Sequence, residues 1–294
     1  MNDLLEVKEM LEKIPLNEGM NDTLIPFIKF FKSSNKEKLL HSVYEPSLFI
    51  ILQGSKVVII GDKTFEYDES SYFISSTYLP VSGKIVQASK EKPFLSIRIV
   101  FSLEQIFEVI EEFSLNLKKQ DSTSFSASKY PLTDDLKDVI LRVVKLIKKP
   151  EDINILSKMY LKEILYRLLI SNQNIELLQL AFVESNSYKI SKAISYINKN
   201  LYDTFLIEEI AKLVNMSLPS FYKHFKIITG MSPLQYSKKI KLQEAQRLMS
   251  LENMDIEGTA FYIGYQSSSQ FSREYTSYFG QSPSKHIKSL KNKD

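Results

Sequence analysis

The sequence predicts an α+β chain in two parts. An antiparallel β-barrel or sandwich with attached helices comes first, and an all-α segment with two helix-turn-helix units joined by a long helix follows. Three observations carry this. Residues 41–102 hold short β-branched and aromatic runs separated by turn residues. Residues 103–169 return to a helical period. The segment from 188 onward contains one helical unit written twice. A length of 294 residues also favours two domains over one. The expected division is 1–187, with the barrel at about 41–102 and helices at about 103–180, against 188–294.

Taken in order, residues 1–40 read as amphipathic helix broken at Pro15 and Pro26. The strand runs are Phe49–Leu52, Val57–Ile60, Tyr72–Ile74 and Leu95–Phe101, punctuated by Gly54, Gly61-Asp62, Asp68, Gly83 and Pro93. Along the last run, Leu95, Ile97, Ile99 and Phe101 share one face, and Ser96, Arg98 and Val100 the other. Helices are expected over Leu103–Leu117, Asp134–Lys148 and Ile153–Leu169, with Pro150-Glu-Asp as the connection between the last two. Residues 171–187 join the halves through a further short helix. Ile140, Val144 and Ile147 form one apolar stripe, and Ile153, Leu156, Tyr160, Ile164 and Leu168 another. These stripes suit a homodimer interface or packing on the barrel.

The duplication is explicit. Phe221/Phe271, Gly230/Gly280, Ser232/Ser282 and Pro233/Pro283 match at an offset of 50, continued by Lys238/Lys288 and Lys241/Lys291. Ile207/Ile256, Glu208/Glu257 and Ala211/Ala260 match at 49, so the second copy has one extra turn residue. In the first copy Ile207–Val214 is the supporting helix and Asn215 takes the turn, where a positive φ is needed. Ser217 is the N-cap of the next helix, and Pro219 falls in its first turn. In the second, Asp255 caps the supporting helix and Gly264 makes the turn. Phe221 with Phe225, and Phe271 with Tyr275, lie four residues apart and face the core. The outward residues are then Ser217, Pro219, Ser220, Tyr222, Lys223 and Lys226 in the first copy. In the second they are Ser267, Ser268, Ser269, Gln270, Ser272 and Arg273.

Such a set suits base edges and phosphates in a major groove. A solvated helix face is the plain alternative for any one of these residues. The connecting helix, Pro233–Ser250, would span roughly 27 Å and separate the units by about one DNA turn. Charge agrees. Residues 188–294 carry 15 Lys and Arg against 9 Asp and Glu, a balance of +6, whereas residues 1–187 carry 23 against 26, a balance of −3. The positive excess lies on the repeated segment, as a phosphate-binding module requires.

The repeated segment resembles the DNA-binding domain of the AraC family of bacterial transcription regulators. The likeness rests on the two units, the connecting helix, the Gly-x-Ser-Pro after each recognition helix, and the extra turn residue in the second unit. It implies base reading by Pro219, Tyr222 and Lys223, and by Ser268, Ser269, Ser272 and Arg273. It implies a phosphate contact at Lys241. The chain departs from the family's pattern at Thr259-Ala260 and Gly264-Tyr265, and Pro219 stands where a larger side chain is common. Pro46–Gly54, Gly61–Asp68, Tyr72–Ser76, the Pro150-Glu-Asp-Ile stretch and Glu163–Arg167 are similar to the N-terminal domain of one AraC-type subfamily. That resemblance implies a cupin-like antiparallel β-barrel, a helical hairpin, ligand sensing and dimerisation.

Candidates for the lining of a ligand pocket are Tyr44, Phe49, Ile51, Tyr67, Tyr72, Tyr78 and Arg98, with ordinary core packing as the alternative. The chain has no cysteine, and its three histidines are His41, His224 and His286, so histidines cannot build a metal cluster in the barrel. No nucleophile elbow, Walker loop or dinucleotide fingerprint occurs. An enzyme is therefore not expected, and no cofactor or metal. The N-terminus lacks the features of a signal peptide, and no apolar run approaches about 18 residues, which fits the cytoplasm and not a membrane. The expected function is sequence-specific DNA-binding transcription regulation under control of a small ligand or partner acting on the barrel. The partners this calls for are promoter DNA, RNA polymerase, a small-molecule effector and a second copy of the chain. One rival is a ligand-independent regulator whose barrel is structural or docks a protein. A remoter one is a cupin-like enzyme fused to a DNA-binding segment.

Overall fold

A computed structural model describes every residue except 1–2, 37–38, 114, 116–122, 172–173, 181, 183–184, 204 and 292–294. Among the described residues the first element is α1 (Asp3–Glu12), and there are ten strands. They are β1 (Gly19–Asp22), β2 (Ile28–Ser33), β3 (Leu40–Tyr44), β4 (Ser47–Gln53), β5 (Ser55–Ile60), β6 (Lys63–Asp68), β7 (Ser71–Ser75), β8 (Leu79–Gln87), β9 (Phe94–Val100) and β10 (Ala127–Pro131). One sheet runs β1-β2-β9-β4-β7-β10 and the other β3-β8-β5-β6, with antiparallel pairing throughout. The two face each other as a flattened barrel.

The remaining helices are α2 (Leu103–Glu112), α3 (Asp134–Lys145), α4 (Pro150–Ile170), α5 (Ile175–Leu180) and α6 (Asn186–Lys199). Then come α7 (Ile207–Leu213), α8 (Leu218–Thr229), α9 (Pro233–Leu251), α10 (Ile256–Tyr262), α11 (Ser268–Phe279) and α12 (Pro283–Lys291). The α+β class is as the sequence predicts.

Local expectations need correction in four places. Among the described residues of 1–40 only Asp3–Glu12 is helical, and β1 and β2 join the sheet. Ile28 and Phe30 alternate to the helix-covered face of that sheet, a two-residue period obscured by the apolar Phe31 on the other face. The barrel is thus wider than 41–102, because it also recruits β10, whose Ser-Lys-Tyr-Pro sequence carries no apolar alternation. Pro150-Glu-Asp is not a connection but the first turn of α4, where proline's missing N–H costs nothing. The helix expected to reach Leu117 ends at Glu112, and its last part, 114 and 116–117, lies outside the described residues.

The central strand β4 is buried on both faces, which explains its unbroken apolar run. Leu48, Ile50, Tyr72, Leu95, Ile97 and Ile99 face a helical layer built from α1, α3, α4 and α5. Ile140, Val144, Ile153, Ile164 and Leu168 of the two predicted stripes are buried in that layer, with Ile147, Leu156 and Tyr160 partly so. The stripes therefore pack on the barrel, as the second of their two readings has it. On the inner face, Phe49, Ile51, Phe73 and Phe94 meet Val58, Ile60, Tyr67, Val81 and Ile85 of the other sheet. This inner core continues without a break into Ile190, Ile194, Phe221, Phe225, Tyr236 and Ile240 of the C-terminal helices. The second helical pair has a separate core.

Candidate nucleic-acid interface

Each repeat folds as a supporting helix, a turn and a second helix. The turns are set by left-handed residues, Asn215 at φ 53° and Gly264 at φ 88°. The second helices, α8 and α11, end at Gly230 and Gly280, both left-handed caps, and Ser232 opens α9 with a capping box to Gln235. Phe221, Phe225, Phe271 and Tyr275 are fully buried, each contributing roughly 2–3 kcal/mol of apolar burial. That fixes which sides of α8 and α11 remain outside. The glycine at 258, inside the supporting helix α10, has a local reason. Asp255 caps α10 by accepting from the Gly258 N–H at 2.8 Å, and a Cβ at 258 would fall 2.8 Å from the same carboxylate. Glycine lets the cap close tightly.

On α8, Ser217, Pro219, Lys223 and Lys226 are exposed and Ser220 is half-buried. Ser217 has N-cap backbone geometry, but its hydroxyl makes no capping bond. Tyr222 is less available than expected, because its ring packs partly against the shared core. On α11, Ser267, Ser269, Gln270 and Arg273 are exposed, and Ser268 and Ser272 are half-buried. The Ser267 hydroxyl accepts the Gln270 N–H at 3.4 Å. No ion pair involves Arg273 among the described residues, whereas its neighbour Glu274 binds Lys238 at 3.2 Å and the Tyr265 hydroxyl at 2.7 Å. Lys241 is half-buried on α9 with its ammonium against the Gly264 turn, 3.1 Å from where a Cβ would sit. Burial lowers its pKa, and Asp203 opposes that. The outward residues of each unit thus share one side of their helix, and α9, 19 residues long, spans about 28 Å between them.

The barrel grips both units near the C-terminal ends of α8 and α11. Ser126 donates its N–H and its hydroxyl to the Ile228 carbonyl, at 3.0 and 2.8 Å. The Tyr236 hydroxyl receives a bond from Asn198 at 2.8 Å and donates to the Tyr78 carbonyl at 3.2 Å. Thr123 and His224 share a hydrogen bond of 3.0 Å, and burial, then nearby Lys223, lowers the His224 pKa. His41 of β3 lies against Tyr278 and Phe279 at the end of α11.

The ligand candidates divide. Tyr44, Phe49, Ile51 and Tyr67 do face the barrel interior, where they are buried in one aromatic and aliphatic cluster. Tyr44 stacks on Phe49 at 4.3 Å between centroids, and Tyr67 on Phe73 at 5.4 Å. Tyr72 is a correction. It points to the opposite face, into the helical layer, and donates to Asn174 at 2.9 Å, because adjacent residues of a strand face opposite sides and Phe73 takes the interior. Arg98 donates to Glu45 at 2.8 Å and to Ser47 at 3.0 Å beneath the Phe49 ring. Burial lowers its pKa, and Glu45 counters that.

Of the seven, Tyr78 alone reaches the open space nearby. It borders a cleft of about 1000 Å³ between the barrel mouth, α2, α4 and α6. Burial, then Glu45 and Glu104, raises the Tyr78 pKa. Glu104, Glu108 and Glu112 of α2 line this cleft together with Lys158 and Lys162 of α4 and Lys199 of α6, and Lys162 is ion-paired with Glu112. The sequence reading missed it, although glutamates spaced by four residues on α2 and lysines spaced by four on α4 were visible as one-sided rows. Among the described residues no group of three or more His, Asp and Glu side chains could hold a metal ion, and no helix is long and apolar enough to cross a membrane.

Two helix-turn-helix pairs on a basic segment, with their outer faces open and a long helix between them, define a DNA-binding transcription regulator. Comparison with known proteins gives the family. A family model described as the AraC-type transcriptional regulator N-terminus matches residues 24–175, and one described as a helix-turn-helix domain matches residues 210–289. The chain belongs to the AraC-type transcriptional regulators. It is 26% identical over 263 residues to the lactose operon transcription activator of Staphylococcus xylosus, covering 86% of this chain and 88% of that one. It is 24% identical over 250 residues to the Msm operon regulatory protein of Streptococcus mutans, covering 83% and 84%. The fold is similar to crystal structures of ToxT from Vibrio cholerae. The apo form of a ToxT point variant superposes with a TM-score of 0.58 at 12% identity over 92% of this chain and 98% of that one. A wild-type form bound to unsaturated fatty acid gives 0.55 at 12% identity over 88% and 94%.

Proposed function

We propose that residues 188–294 form the DNA-binding domain, that α8 and α11 enter successive major grooves, and that residues 1–187 regulate them. The observation that carries this is the matched exposure of the two helices. Ser217, Pro219, Lys223 and Lys226 on one, and Ser267, Ser269 and Arg273 on the other, are open, while the aromatic pairs beneath are fully buried. Ser220, Tyr222, Ser268 and Ser272 border these faces, and Lys241 binds phosphate from beside the second turn. The test is selection of duplexes from a random pool by the full chain. A motif with two halves about 10 base pairs apart is expected. Enrichment of only one short half would rule out reading by both units.

A small-molecule effector acts, in this proposal, at the cleft between α2, α4 and α6 rather than inside the barrel. The cleft is wide enough for such a ligand and touches both parts of the chain, with Ser195 and Lys199 on the C-terminal side. That ToxT, which shares the fold, has been solved with unsaturated fatty acid bound supports an effector of some kind. A second reading, a structural or protein-docking barrel, is favoured by the aromatic filling of its interior. Bulky replacement of Ser195 by Trp separates the two. If the cleft senses an effector, regulation in cells is lost while DNA affinity in vitro stays. If the barrel is structural, regulation is unchanged. Contact with RNA polymerase and a cytoplasmic location belong to the same proposal, following from transcription regulation as the task.

A further inference from the structure

The second helical pair is the less firmly held of the two. Its core, Phe271, Tyr275, Ile263 and Ala260 against Leu242, Ala245 and Leu248 of α9, is separate from the core that the barrel shares with the first pair. It hangs from α9, with a side support where the Tyr202 and Tyr262 rings meet at 4.7 Å. A further support comes from the barrel. His41 on β3 is held by a 2.8 Å hydrogen bond with Ser82 of the neighbouring strand. Its ring lies 4.5 Å from that of Tyr278 and 5.5 Å from that of Phe279. Tyr278 is pinned from the other side, since its hydroxyl accepts from Gln243 of α9 at 2.7 Å. Phe279 in turn lies tilted against Tyr275, 4.3 Å between ring centroids. The last turn of α11 is therefore clasped between β3 and α9, just beyond Arg273.

We infer that His41 is a positioning residue for DNA binding: through Tyr278 and Phe279 it sets the direction of α11, and so whether the second recognition helix meets its groove while α8 occupies the first. This rests on the DNA-binding reading above. The leverage is sufficient. A helix of 12 residues is about 18 Å long, and a tilt of about 10° moves its far end by about 3 Å, the length of a hydrogen bond. The clasp also lies away from the exposed groups at the start of α11, so it can steer the helix without covering it. Burial beside Lys239 and His286 lowers the pKa of His41, which suits a neutral ring in this aromatic seat.

The test uses the full chain, with His41→Ala and His41→Phe, on two duplexes. One is the bipartite sequence that the wild type selects from a random pool. The other has the half read by the second unit scrambled. His41→Ala is expected to lose about three- to tenfold in affinity for the bipartite duplex, the range that an aromatic contact of this kind supports, and nothing on the scrambled one. His41→Phe, which keeps a ring in the seat, restores most of the loss. Equal losses on both duplexes would mean a general folding defect, and unchanged affinity would mean an idle contact. A gain in affinity would mean an inhibitory one. Each of these overturns the inference while leaving the DNA-binding reading standing. Failure of the wild type to enrich any sequence overturns both.

Discussion

Gly61 and Gly230 meet backbone to backbone. Gly61 turns the hairpin between β5 and β6 with φ 61°, and Gly230 caps α8 with φ 73°. A Cβ on Gly61 would fall 2.5 Å from the Gly230 carbonyl oxygen, and one on Gly230 would fall 3.3 Å from that of Ile60. The barrel thus touches the end of the first recognition helix with no side chain between them. Gly61→Ala carries left-handed strain of about 1–2 kcal/mol and also wedges this contact apart. Gly280→Ala is the control, since Gly280 has φ 74° and open space around it. Chemical denaturation should show Gly61→Ala costing about 1–2 kcal/mol more than Gly280→Ala. Equal costs would mean that the glycine contact contributes no stability.

Lys241→Ala should weaken binding to selected and random duplexes alike, and should flatten the dependence of log affinity on log salt by about one unit. The half-buried ammonium lies beside the Gly264 turn of the second unit, where a phosphate is expected to pass. Fluorescence anisotropy across a salt series measures this. An unaltered slope would remove Lys241 from the phosphate contacts.

Arg273→Ala should cost about 1–3 kcal/mol on the selected duplex and relax base preference at one or two positions. The side chain is exposed on α11 and, among the described residues, makes no ion pair that would compete for it. Repeating the selection with the variant checks the preference. A matching loss on random DNA would make Arg273 a phosphate contact.

The architecture was legible where the chain repeats itself and where a single residue type answers a geometric need. Asn215 and Gly264 were readable as left-handed turns, and Phe221, Phe225, Phe271 and Tyr275 as core, because helical spacing admits few other solutions. β2 and β10 were not legible. β2 mixes lysines into its alternation, and β10 pairs as an edge strand through its backbone with little apolar content. Tyr72 and Phe73 are adjacent aromatics, so the sequence could not say which one faced inward. The contacts of His41, Gly61 and Ser126 join elements far apart in the chain, and no local period announces them.

Glu176 of α5 gives a pH prediction. It is 3% exposed, its Oε2 accepts from Tyr130 at 2.8 Å, and its Oε1 is buried without a partner. Burial pushes its carboxyl up from the ordinary 4.5 to about 7. The folded chain therefore holds this proton more tightly than the unfolded chain. Its contribution to stability falls as pH rises through that window, and above about 7 the ionised group costs on the order of 3 kcal/mol. Glu176→Gln keeps an acceptor for Tyr130 and removes the ionisation. It should raise stability by about 1–3 kcal/mol at pH 8, with the gain shrinking toward pH 5. A gain that does not vary with pH would mean that the carboxyl is not the source.

Self-association, if it runs through the helical layer, has to use a surface other than the predicted stripes. Ile140, Val144, Ile164 and Leu168 are already buried against the barrel. Among the apolar side chains that α4 leaves outside are Ile155 at 69% and Met159 at 58% exposure, one helical turn apart on the same face. Two apolar side chains held on one face of a rigid helix suit a twofold contact between copies. The expectation is that the full chain sediments as a dimer at tens of micromolar, and that the double substitution Ile155→Glu with Met159→Glu makes it a monomer of unchanged melting temperature. Since each copy would read two grooves, the variant should still bind a single bipartite site but lose cooperative binding to two adjacent ones. A wild-type monomer at that concentration would leave any pairing to be assembled on DNA. A dimer that survives both glutamates would move the interface off α4.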